Sequence, residues 1–238
     1  ASAAQSTASV PATGTAGALT SITVQAKDAN GNNRTTTSGT VVISITGANT
    51  ATPTVTDNLN GTYSASYTPT VAGTDNIAIT LGGSAISGSP FSSVVSAGAL
   101  DHFNVTNTSD AAIGAQTAGT SFTIRVRAKD ANNNTVPSFT GTVDLTSTGT
   151  LTGAPITTAA FTAGELLTQA VTITNTGSFT ITATRTSGGA QAGTSATFAV
   201  SAGAANPATS TASVPAGTAG SITTITVQAK DASGNNRT

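Results

Sequence analysis

The chain has no cysteine, methionine or tryptophan and only one histidine among its 238 residues. Without cysteine it forms no disulfide, and without sulfur side chains it resists oxidation. Eight lysines and arginines are set against nine acidic residues, and charged residues make up only 7% of the chain. This composition leaves no basic patch for nucleic acid and no cationic amphipathic segment for a membrane surface. No apolar run is long enough to span a bilayer.

Threonine, serine, alanine, glycine and asparagine dominate what is present. Such a polar composition can indicate disorder, but β-branched residues alternate with polar ones along the whole chain, which favours strands. A nearly uncharged, threonine-rich and cysteine-free composition is typical of outer-surface proteins that are exported by a secretory route with few disulfides. The sequence therefore predicts an extracellular or cell-surface location, and its composition implies no cofactor.

A phrase of the form Gln/Arg-Ala-Lys-Asp-Ala-Asn/Ser occurs three times, at Gln25–Asn30, Arg127–Asn132 and Gln228–Ser233. Its copies start 102 residues apart (25 to 127) and then 101 residues apart (127 to 228). Each period is the length of one immunoglobulin-sized domain, and self-similarity at a fixed period indicates a tandem array.

The third copy matches the first more closely than it matches the second. Ser6–Pro11 is repeated as Ser210–Pro215, and Gly31–Thr35 is repeated as Gly234–Thr238. The order of the repeats is therefore A–B–A′, with a truncated last copy. The array consists of alternating domain types rather than of one repeated type.

Both complete repeats close on Val-Ser-Ala-Gly-Ala, at 95–99 and 200–204. The predicted domains are 1–98, 99–203 and a truncated third copy at 204–238, and the short linkers predict domains arranged end to end. Two strands cannot bury a core alone. The third copy is thus a piece cut from a longer protein, a window on a longer array, or a tail that completes a neighbour by strand exchange. We favour the window, which predicts that sequence like Thr36–Gly39 follows Thr238.

Alternation of period two predicts strands in both repeats, and no window shows a helical stripe. The apolar residues of these strands in the first repeat are Ile22, Val24, Ala26, Val41, Ile43, Ile45, Tyr63, Ala65, Tyr67, Ile77 and Ile79. Those of the second repeat are Phe122, Ile124, Val126, Ala128, Val143, Leu145, Val171, Ile173, Phe179, Ile181, Phe198 and Val200. Short strands separated by glycine and asparagine turns predict an all-β fold of tandem immunoglobulin-like β-sandwiches.

The second half of the first repeat resembles the filamin-type immunoglobulin repeat. The matching segments, in the family's order, are Val55–Pro69, Gly73, Leu81–Gly83 and Ile86–Phe91. The resemblance implies that the turn 57–61 joins two strands and that Tyr63 and Tyr67 pack the sheet. It also implies that Ser89–Phe91 opens the last strand.

The second repeat lacks the Tyr-Thr-Pro and Ser-Pro-Phe motifs. Through Ala118–Ile124 and Gly141–Leu145 it is similar to the bacterial immunoglobulin-like repeats of large surface proteins and adhesins. Alternation with such a repeat implies a prokaryotic surface protein rather than an actin cross-linker, because a shared fold does not carry a shared function.

Two constellations could carry chemistry. Catalysis of acyl or group transfer needs a nucleophile, a base and an orienting group. The single histidine, His102, lies beside Asp101, and neighbouring residues of a strand point to opposite faces. We therefore predict that this pair does not cooperate and that the protein is not an enzyme.

The second constellation is the repeated aspartate of the phrase, Asp28, Asp130 and Asp231, which is followed by asparagine and glycine as in part of a calcium loop. Calcium takes roughly six to eight oxygen ligands, normally with several carboxylates. Each loop supplies one carboxylate. We favour an Asx-type turn that ends a strand and keep a calcium site at these aspartates as the weaker alternative.

An array without catalytic groups predicts a structural segment of a long extracellular fibre, stalk or sheath at a prokaryotic surface. Its expected partners are copies of itself or neighbouring domains of the same array. The alternative is an adhesin or binding module that takes a host or cell-surface protein, or a glycan, along an exposed sheet edge. The apolar strand with Val41, Ile43 and Ile45 is the candidate edge.

Overall fold

The computed structural model describes residues 1–237, which form two compact units. The first unit comprises Ala1–Ala99 and the loop Asp130–Asn134, and the second comprises Leu100–Lys129 and the chain from Thr135 onward. Within the described residues, helical structure is limited to one 3-10 turn, Ala3–Gln5, which confirms the all-β class. No helix in residues 1–237 is long and apolar enough to cross a lipid bilayer. The domain limits 1–98, 99–203 and 204–238 stay predictions.

The first unit is a sandwich of two sheets. Its strands are β1 (Thr7–Ser9), β2 (Thr13–Thr15), β3 (Thr20–Gln25), β4 (Val41–Gly47), β5 (Thr56–Asp57), β6 (Thr62–Tyr67), β7 (Gly73–Leu81), β8 (Ser84–Ala85) and β9 (Phe91–Ser96). One sheet has the order β1-β3-β6-β5, and the other has β2-β9-β7-β4 with β8 added to β7. Strand β2 pairs with β9 in parallel, and the other pairs are antiparallel.

Alternate residues of these strands form one hydrophobic core, as the sequence predicts. Its buried members are Ile22, Val24, Ala26, Val41, Ile43, Ile45, Tyr63, Ala65, Tyr67, Ile77, Ile79, Leu81 and Ile86. Burial of each large aliphatic side chain contributes about 1.5–3 kcal/mol. The Tyr63 hydroxyl donates to the Gly39 carbonyl at 2.8 Å and accepts from the Ser38 N–H at 2.9 Å. The tyrosines therefore pack the sandwich while their hydroxyls stay hydrogen-bonded.

The turn between β5 and β6 has the form that the filamin resemblance implies. The Leu59 N–H donates to Asp57 Oδ1 at 2.8 Å, and Gly61 has a φ of +81°. A Cβ at Gly61 would collide with the carbonyl oxygen of Arg34, so only glycine fits there. The last strand, β9, begins at Phe91, directly after Ser89 and Pro90, again as implied.

A polar cluster, which we call the Asp75 network, is buried at the end of this core. Asp75 is fully buried, and its Oδ1 accepts from the Asn49 N–H at 2.8 Å while its Oδ2 accepts from the Tyr67 hydroxyl at 3.0 Å. The Asn49 Nδ2 group donates to both carboxylate oxygens at 3.1 Å. Burial, followed by the hydrogen bond and the charge of Asp75, raises the pKa of Tyr67 to about 12. The tyrosine therefore remains a donor at physiological pH.

The second unit contains the remaining strands. They are β10 (His102–Thr106), β11 (Gln116–Thr117), β12 (Phe122–Lys129), β13 (Val143–Ser147), β14 (Ile156–Thr157), β15 (Glu165–Val171), β16 (Gly177–Phe179), β17 (Ile181–Arg185), β18 (Ala192–Thr194), β19 (Phe198–Ser201), β20 (Thr211–Ser213) and β21 (Thr226–Gln228). Its sheets have the orders β10-β12-β15, β11-β19-β16, β14-β13-β17-β18 and β20-β21. Strand β11 pairs with β19 in parallel, as β2 does with β9 in the first unit.

Three phenylalanines lie together in the core of the second unit. Phe103 packs edge-on against Phe139 and Phe161, with ring centroids 5.2 and 5.8 Å apart, and Phe139 and Phe161 are 5.0 Å apart. All three are buried, and Arg185 lies over the Phe139 ring at 5.5 Å. Edge-to-face contacts of this kind add about 0.5–1.5 kcal/mol to the burial term.

Strand β21 repeats the sequence at the end of β3, but the apolar residues there are exposed. Ile225 and Val227 are 59% and 71% exposed, whereas the corresponding Ile22 and Val24 are fully buried. The difference arises because β3 lies between β1 and β6 and contributes to the first core, whereas β21 pairs only with β20 within the described residues. Identical sequence is therefore core in one place and surface in the other.

Candidate functional site

The three copies of the repeated phrase fold into the same short loop. We call them the first Asp loop (Asp28–Asn32), the second Asp loop (Asp130–Asn134) and the third Asp loop (Asp231–Asn235). In the first, Asp28 Oδ1 accepts from the N–H groups of Asn30 and Asn32, both at 2.9 Å, and Asp28 Oδ2 accepts from Asn32 Nδ2 at 3.0 Å. The other two loops repeat these bonds. The fourth position is left-handed in each loop, which suits glycine and asparagine.

The second Asp loop is hydrogen-bonded to backbone groups of the first unit. The Gly98 N–H donates to Asp130 Oδ2 at 2.7 Å. Asn134 Nδ2 donates to the Thr70 carbonyl at 2.8 Å, and Asn134 Oδ1 accepts from the Ala72 N–H at 2.9 Å. Asp130 is 1% exposed. The loop therefore satisfies three backbone groups outside itself.

The third Asp loop is held in the second unit by matching contacts. The Gly203 N–H donates to Asp231 Oδ2 at 2.9 Å, and Asn235 Nδ2 donates to the Thr174 carbonyl at 2.7 Å. Asp231, like Asp130, is 1% exposed. Gly98 and Gly203 occupy the same place in the two Val-Ser-Ala-Gly-Ala phrases. Two of the three backbone contacts of the second Asp loop are thus repeated at the third.

A glycine lies against the second Asp loop, and another lies against the third. A Cβ on Gly17 would come within 3.0 Å of Asn132 Nδ2, and a Cβ on Gly119 within 2.8 Å of Ser233 Oγ. Both glycines have positive φ, and both follow a Thr-Ala pair. We call the backbone surface formed by Gly17, Thr70, Ala72 and Gly98 the first seat, and the one formed by Gly119, Thr174 and Gly203 the second seat.

The first Asp loop has the internal bonds of the other two but no seat. Within residues 1–237, the hydrogen bonds of its Asp28 carboxylate and Asn32 amide stay inside the loop. Asp28 is only half-buried, and Asn32 is exposed. The loop is thus preformed without the external contacts that bury Asp130 and Asp231.

Hydrogen bonds lower the pKa of each loop aspartate. The Asn32 side chain is the main cause for Asp28, and the Asn235 side chain lowers the pKa of Asp231 to about 2. For Asp130, burial raises the pKa, but the bonds from Asn134 and Gly98 outweigh it, so that the pKa is again lowered. A carboxylate that accepts several N–H groups is stabilised in its charged form.

Replacement of Asn235 by alanine is expected to raise the pKa of Asp231 from about 2 toward the ordinary value of about 3.9. Because the folded pKa is depressed, the contribution of Asp231 to stability is complete above about pH 4 and is lost as the pH falls toward 2. Carboxyl carbon NMR of Asp231 between pH 6 and 1.5 measures the midpoint. Asn236→Ala, one residue further on, is the control and should leave it unchanged. An equal midpoint in both variants would contradict the assignment.

The calcium interpretation of Asp28, Asp130 and Asp231 has little support in this geometry. Their carboxylate oxygens already accept N–H donors, and the neighbouring asparagines direct Nδ2 rather than oxygen at them. Within residues 1–237, no three His, Cys, Asp or Glu side chains are grouped so that they could hold a metal ion. The contacts are those of an Asx turn, and calcium binding stays a prediction.

The candidate edge strand lies at the edge of its sheet, because β4 is last in the order β2-β9-β7-β4. Val41, Ile43 and Ile45, however, have their side chains in the core, at 6%, 1% and 0% exposure. The outward face carries Val42, which is 53% exposed. A partner at this edge would therefore meet the backbone and Val42 rather than the three core residues, and the contact stays a prediction.

The structure also bears on the pair formed by Asp101 and His102. Asp101 and His102 do contact each other, with 3.0 Å between Asp101 Oδ2 and His102 Nδ1. Because β10 begins at His102, Asp101 lies outside the strand and the alternation of faces does not apply to the pair. The expectation that the two side chains point to opposite faces is wrong, and the absence of cooperation between them stays a prediction. Both remain partly exposed.

The arginines of β12 are only partly exposed, because both are paired with carboxylates. Arg125 pairs with Asp110 at 3.0 Å and with Glu165 at 2.9 Å. Arg127 pairs with the same two carboxylates. The cluster neutralises four of the few charges in the chain, so this face of the second unit offers no basic patch.

Comparison with known proteins supports the filamin resemblance for the first repeat. Residues 1–92 match the family model of the Filamin/ABP280 repeat. These residues include the 57–61 turn, both tyrosines and Ser89–Phe91. A search of curated protein sequences finds no match.

Several solved structures are similar to parts of the chain. The Escherichia coli adhesin FdeC is 26% identical over 98% of this chain and 75% of its own, with a TM-score of 0.49. The Lin-41 filamin domain is 26% identical over 40% of this chain and 94% of its own, with a TM-score of 0.35. Domains 4 and 5 of the S-layer protein SbsC are 25% identical over 56% of this chain and 67% of their own, with a TM-score of 0.29. The family-model match is thus confined to the first repeat, which is similar to filamin repeats.

Proposed function

We propose that the chain is a structural segment of a long, repetitive extracellular protein that forms a fibre, stalk or sheath at a prokaryotic cell surface. The observation that carries this proposal is the recurrence of a seated Asp loop. Both units hold one in a seat of glycine N–H and threonine carbonyl groups. A seated Asp loop that recurs with the repeat period is expected of a contact that builds an array, whereas a ligand site needs to occur only once.

The surface chemistry also favours a structural rather than an enzymatic role. Charged residues are 7% of the chain, and four of them neutralise one another around β12. Low net charge removes the repulsion that keeps protein surfaces apart. Neighbouring copies of such a segment can approach laterally without an electrostatic penalty.

Purified full-length chain is expected to self-associate as its concentration rises and to form ordered filaments or lateral arrays. Sedimentation velocity over a hundredfold concentration range measures the association, and negative-stain electron microscopy shows its order. The double variant Thr23→Glu and Val94→Glu changes two exposed positions. It takes the net charge from −1 to −3, so that its copies repel one another and should associate less. Monomers at every concentration would contradict an assembling fibre or sheath.

A binding role is the second candidate, and the position of β4 favours it. An extended segment of a partner protein can add to an open sheet edge through main-chain hydrogen bonds. Among the strands of the described residues β4 pairs only with β7, and its other side is bonded at Ile45, which exchanges backbone hydrogen bonds with Ala51. In this case the chain would stay monomeric and show saturable binding to one host or cell-surface protein or glycan. The sedimentation experiment therefore separates the two candidates.

A further inference from the structure

The sequence contains two Asn-Gly pairs, Asn30-Gly31 and Asn60-Gly61. Asparagine is one of the heat-labile residues. It is most labile before glycine, because no Cβ hinders the approach of the next backbone nitrogen to the side-chain carbonyl of the asparagine. Both asparagines are exposed. The two sites are therefore alike in sequence and in exposure, and their hydrogen bonds are what distinguishes them.

The side-chain carbonyl of Asn60 is polarised by two donors. The Thr62 N–H donates to Asn60 Oδ1 at 3.0 Å, and the Thr62 hydroxyl donates to the same oxygen at 2.6 Å. That hydroxyl accepts from Asn58 Nδ2 at 3.0 Å, and Asn58 Oδ1 accepts in turn from the Ser64 hydroxyl at 3.2 Å. Each bond in such a chain strengthens the next one. The chain ends on Asn60 Oδ1, where it stabilises the negative charge that develops when a nucleophile attacks Cγ.

The nucleophile for this carbonyl is the backbone nitrogen of Gly61. Within residues 1–237, the Gly61 N–H has no hydrogen-bond acceptor. The bond from the Thr62 N–H to Asn60 Oδ1 closes a ring of atoms that contains both Asn60 Cγ and the Gly61 nitrogen, which keeps the two atoms close together. Gly61 is buried by the Arg34 carbonyl on the side where a Cβ would lie, whereas Asn60 is exposed. Water therefore has access to the amide that leaves.

The Asn30-Gly31 pair lacks both features. The Gly31 N–H donates to the Asp28 carbonyl at 3.1 Å, so the turn of the first Asp loop holds the nitrogen that would attack. The Asn30 backbone N–H donates to Asp28 Oδ1 at 2.9 Å, but no donor in the described part of the chain reaches the Asn30 side-chain carbonyl. The nucleophile is thus occupied at this pair, and the carbonyl is not activated.

We propose that Asn60 is a site of spontaneous deamidation, which the fold of the turn 57–61 makes faster than deamidation of Asn30. The Gly61 nitrogen bonds to Asn60 Cγ while the Cγ–Nδ2 bond breaks, and Nδ2 leaves as ammonia with the proton of the Gly61 N–H, which passes through water. A water molecule then opens the cyclic imide at Cγ, which gives aspartate, or at the backbone carbonyl carbon, which gives isoaspartate. An aspartate at position 60 accepts the same two donors of Thr62 with a charged oxygen. The reaction goes beyond the proposed structural role, and it takes the net charge of the chain from −1 to −2.

The folded chain tests this proposal without any substitution. It is incubated at mildly alkaline pH and digested with trypsin, which places Asn30 in peptide 28–34 and Asn60 in peptide 35–125. Tandem mass spectrometry then locates the gain in mass that accompanies exchange of the amide NH2 for OH. In buffer, Asn60 is expected to convert at least about tenfold faster than Asn30. In urea, where the hydrogen bonds are lost, the two rates should be similar. Equal rates in the folded chain would overturn the proposal.

Thr62→Val tests the role of the hydrogen-bond chain, because valine removes the hydroxyl and keeps the shape of the side chain. Conversion of Asn60 should become about tenfold slower. Thr56→Val is the matched control, since Thr56 lies on β5 in the same hairpin and makes no side-chain bond to Asn60. Equal rates in the two variants would also overturn the proposal.

Tyrosine fluorescence checks that each variant keeps the fold of its first unit, because Tyr63 and Tyr67 are the only tyrosines. If Thr62→Val unfolds this unit, Asn58→Ala takes its place, because it breaks the chain one bond earlier at an exposed position. The masses do not depend on association, so failure of this proposal and failure of self-assembly can be told apart.

Discussion

Replacement of Asp75 by asparagine is expected to lower the free energy of unfolding of the first unit by about 2–4 kcal/mol, since hydrogen bonds to a charged group are worth about 1.5–3 kcal/mol each. The substitution keeps the shape of the side chain and turns one acceptor into a donor. That donor faces either the Tyr67 hydroxyl or the Asn49 amide, both of which donate to Asp75 in the native protein. The site is fully buried, so water cannot restore the lost partner.

Urea denaturation followed by tyrosine fluorescence measures this effect in the first unit alone. The chain has two tyrosines, both in β6, and no tryptophan. Asp57→Asn is the matched control, because Asp57 accepts one N–H at the turn surface and asparagine can accept it equally well. We expect a change below about 0.5 kcal/mol for the control. Equal midpoints for the two variants would show that the buried carboxylate is dispensable.

The second large effect is expected for Phe103→Ala, which should lower the free energy of unfolding of the second unit by about 3–5 kcal/mol. The ring is 2% exposed and lies edge-on against Phe139 and Phe161. Its removal loses both aromatic contacts and opens a cavity. The flanking rings can fill this cavity only in part, because backbone hydrogen bonds hold the loops of Phe139 and Phe161 in place.

Differential scanning calorimetry of the full chain should show this loss in the transition of the second unit. The tyrosine signal, which reports only on the first unit, should keep its midpoint. Leu167→Ala provides the control, since Leu167 is 58% exposed on β15 and its truncation should cost less than about 0.5 kcal/mol. If the phenylalanine and leucine variants melt alike, the aromatic cluster does not hold this core together.

The strands and the core could be predicted from sequence because their signal is local. Ile22, Val24 and Ala26 alternate with polar residues, and all three are buried in the structure. Side chains of a strand alternate between faces, so a half-buried strand shows its inward residues in its own sequence. The 57–61 turn was predictable for the same reason, since its aspartate, asparagine and glycine lie within five positions.

The polar contacts could not be predicted because they join residues far apart in the chain. Asp75 on β7 bonds Asn49, which follows β4. Asp110, in the loop that follows β10, bonds Arg125 on β12. Each seat is likewise far in sequence from the loop that it binds; Asn134, for example, donates to the carbonyl of Thr70. One signal was available: an asparagine follows each repeated aspartate by four positions in all three copies. The repeated phrase was therefore visible in the sequence, but its backbone partners were not.

The seats consist mainly of main-chain groups, and this has a consequence at the level of the gene. A backbone N–H or carbonyl is present whatever the local sequence, so long as glycine leaves room for the loop. Unequal recombination that inserts or deletes whole repeats would therefore leave every aspartate loop opposite groups that it can bind. Copy number can vary between lineages without compensating substitutions, whereas a crossover out of phase with the repeat would separate a loop from its glycine.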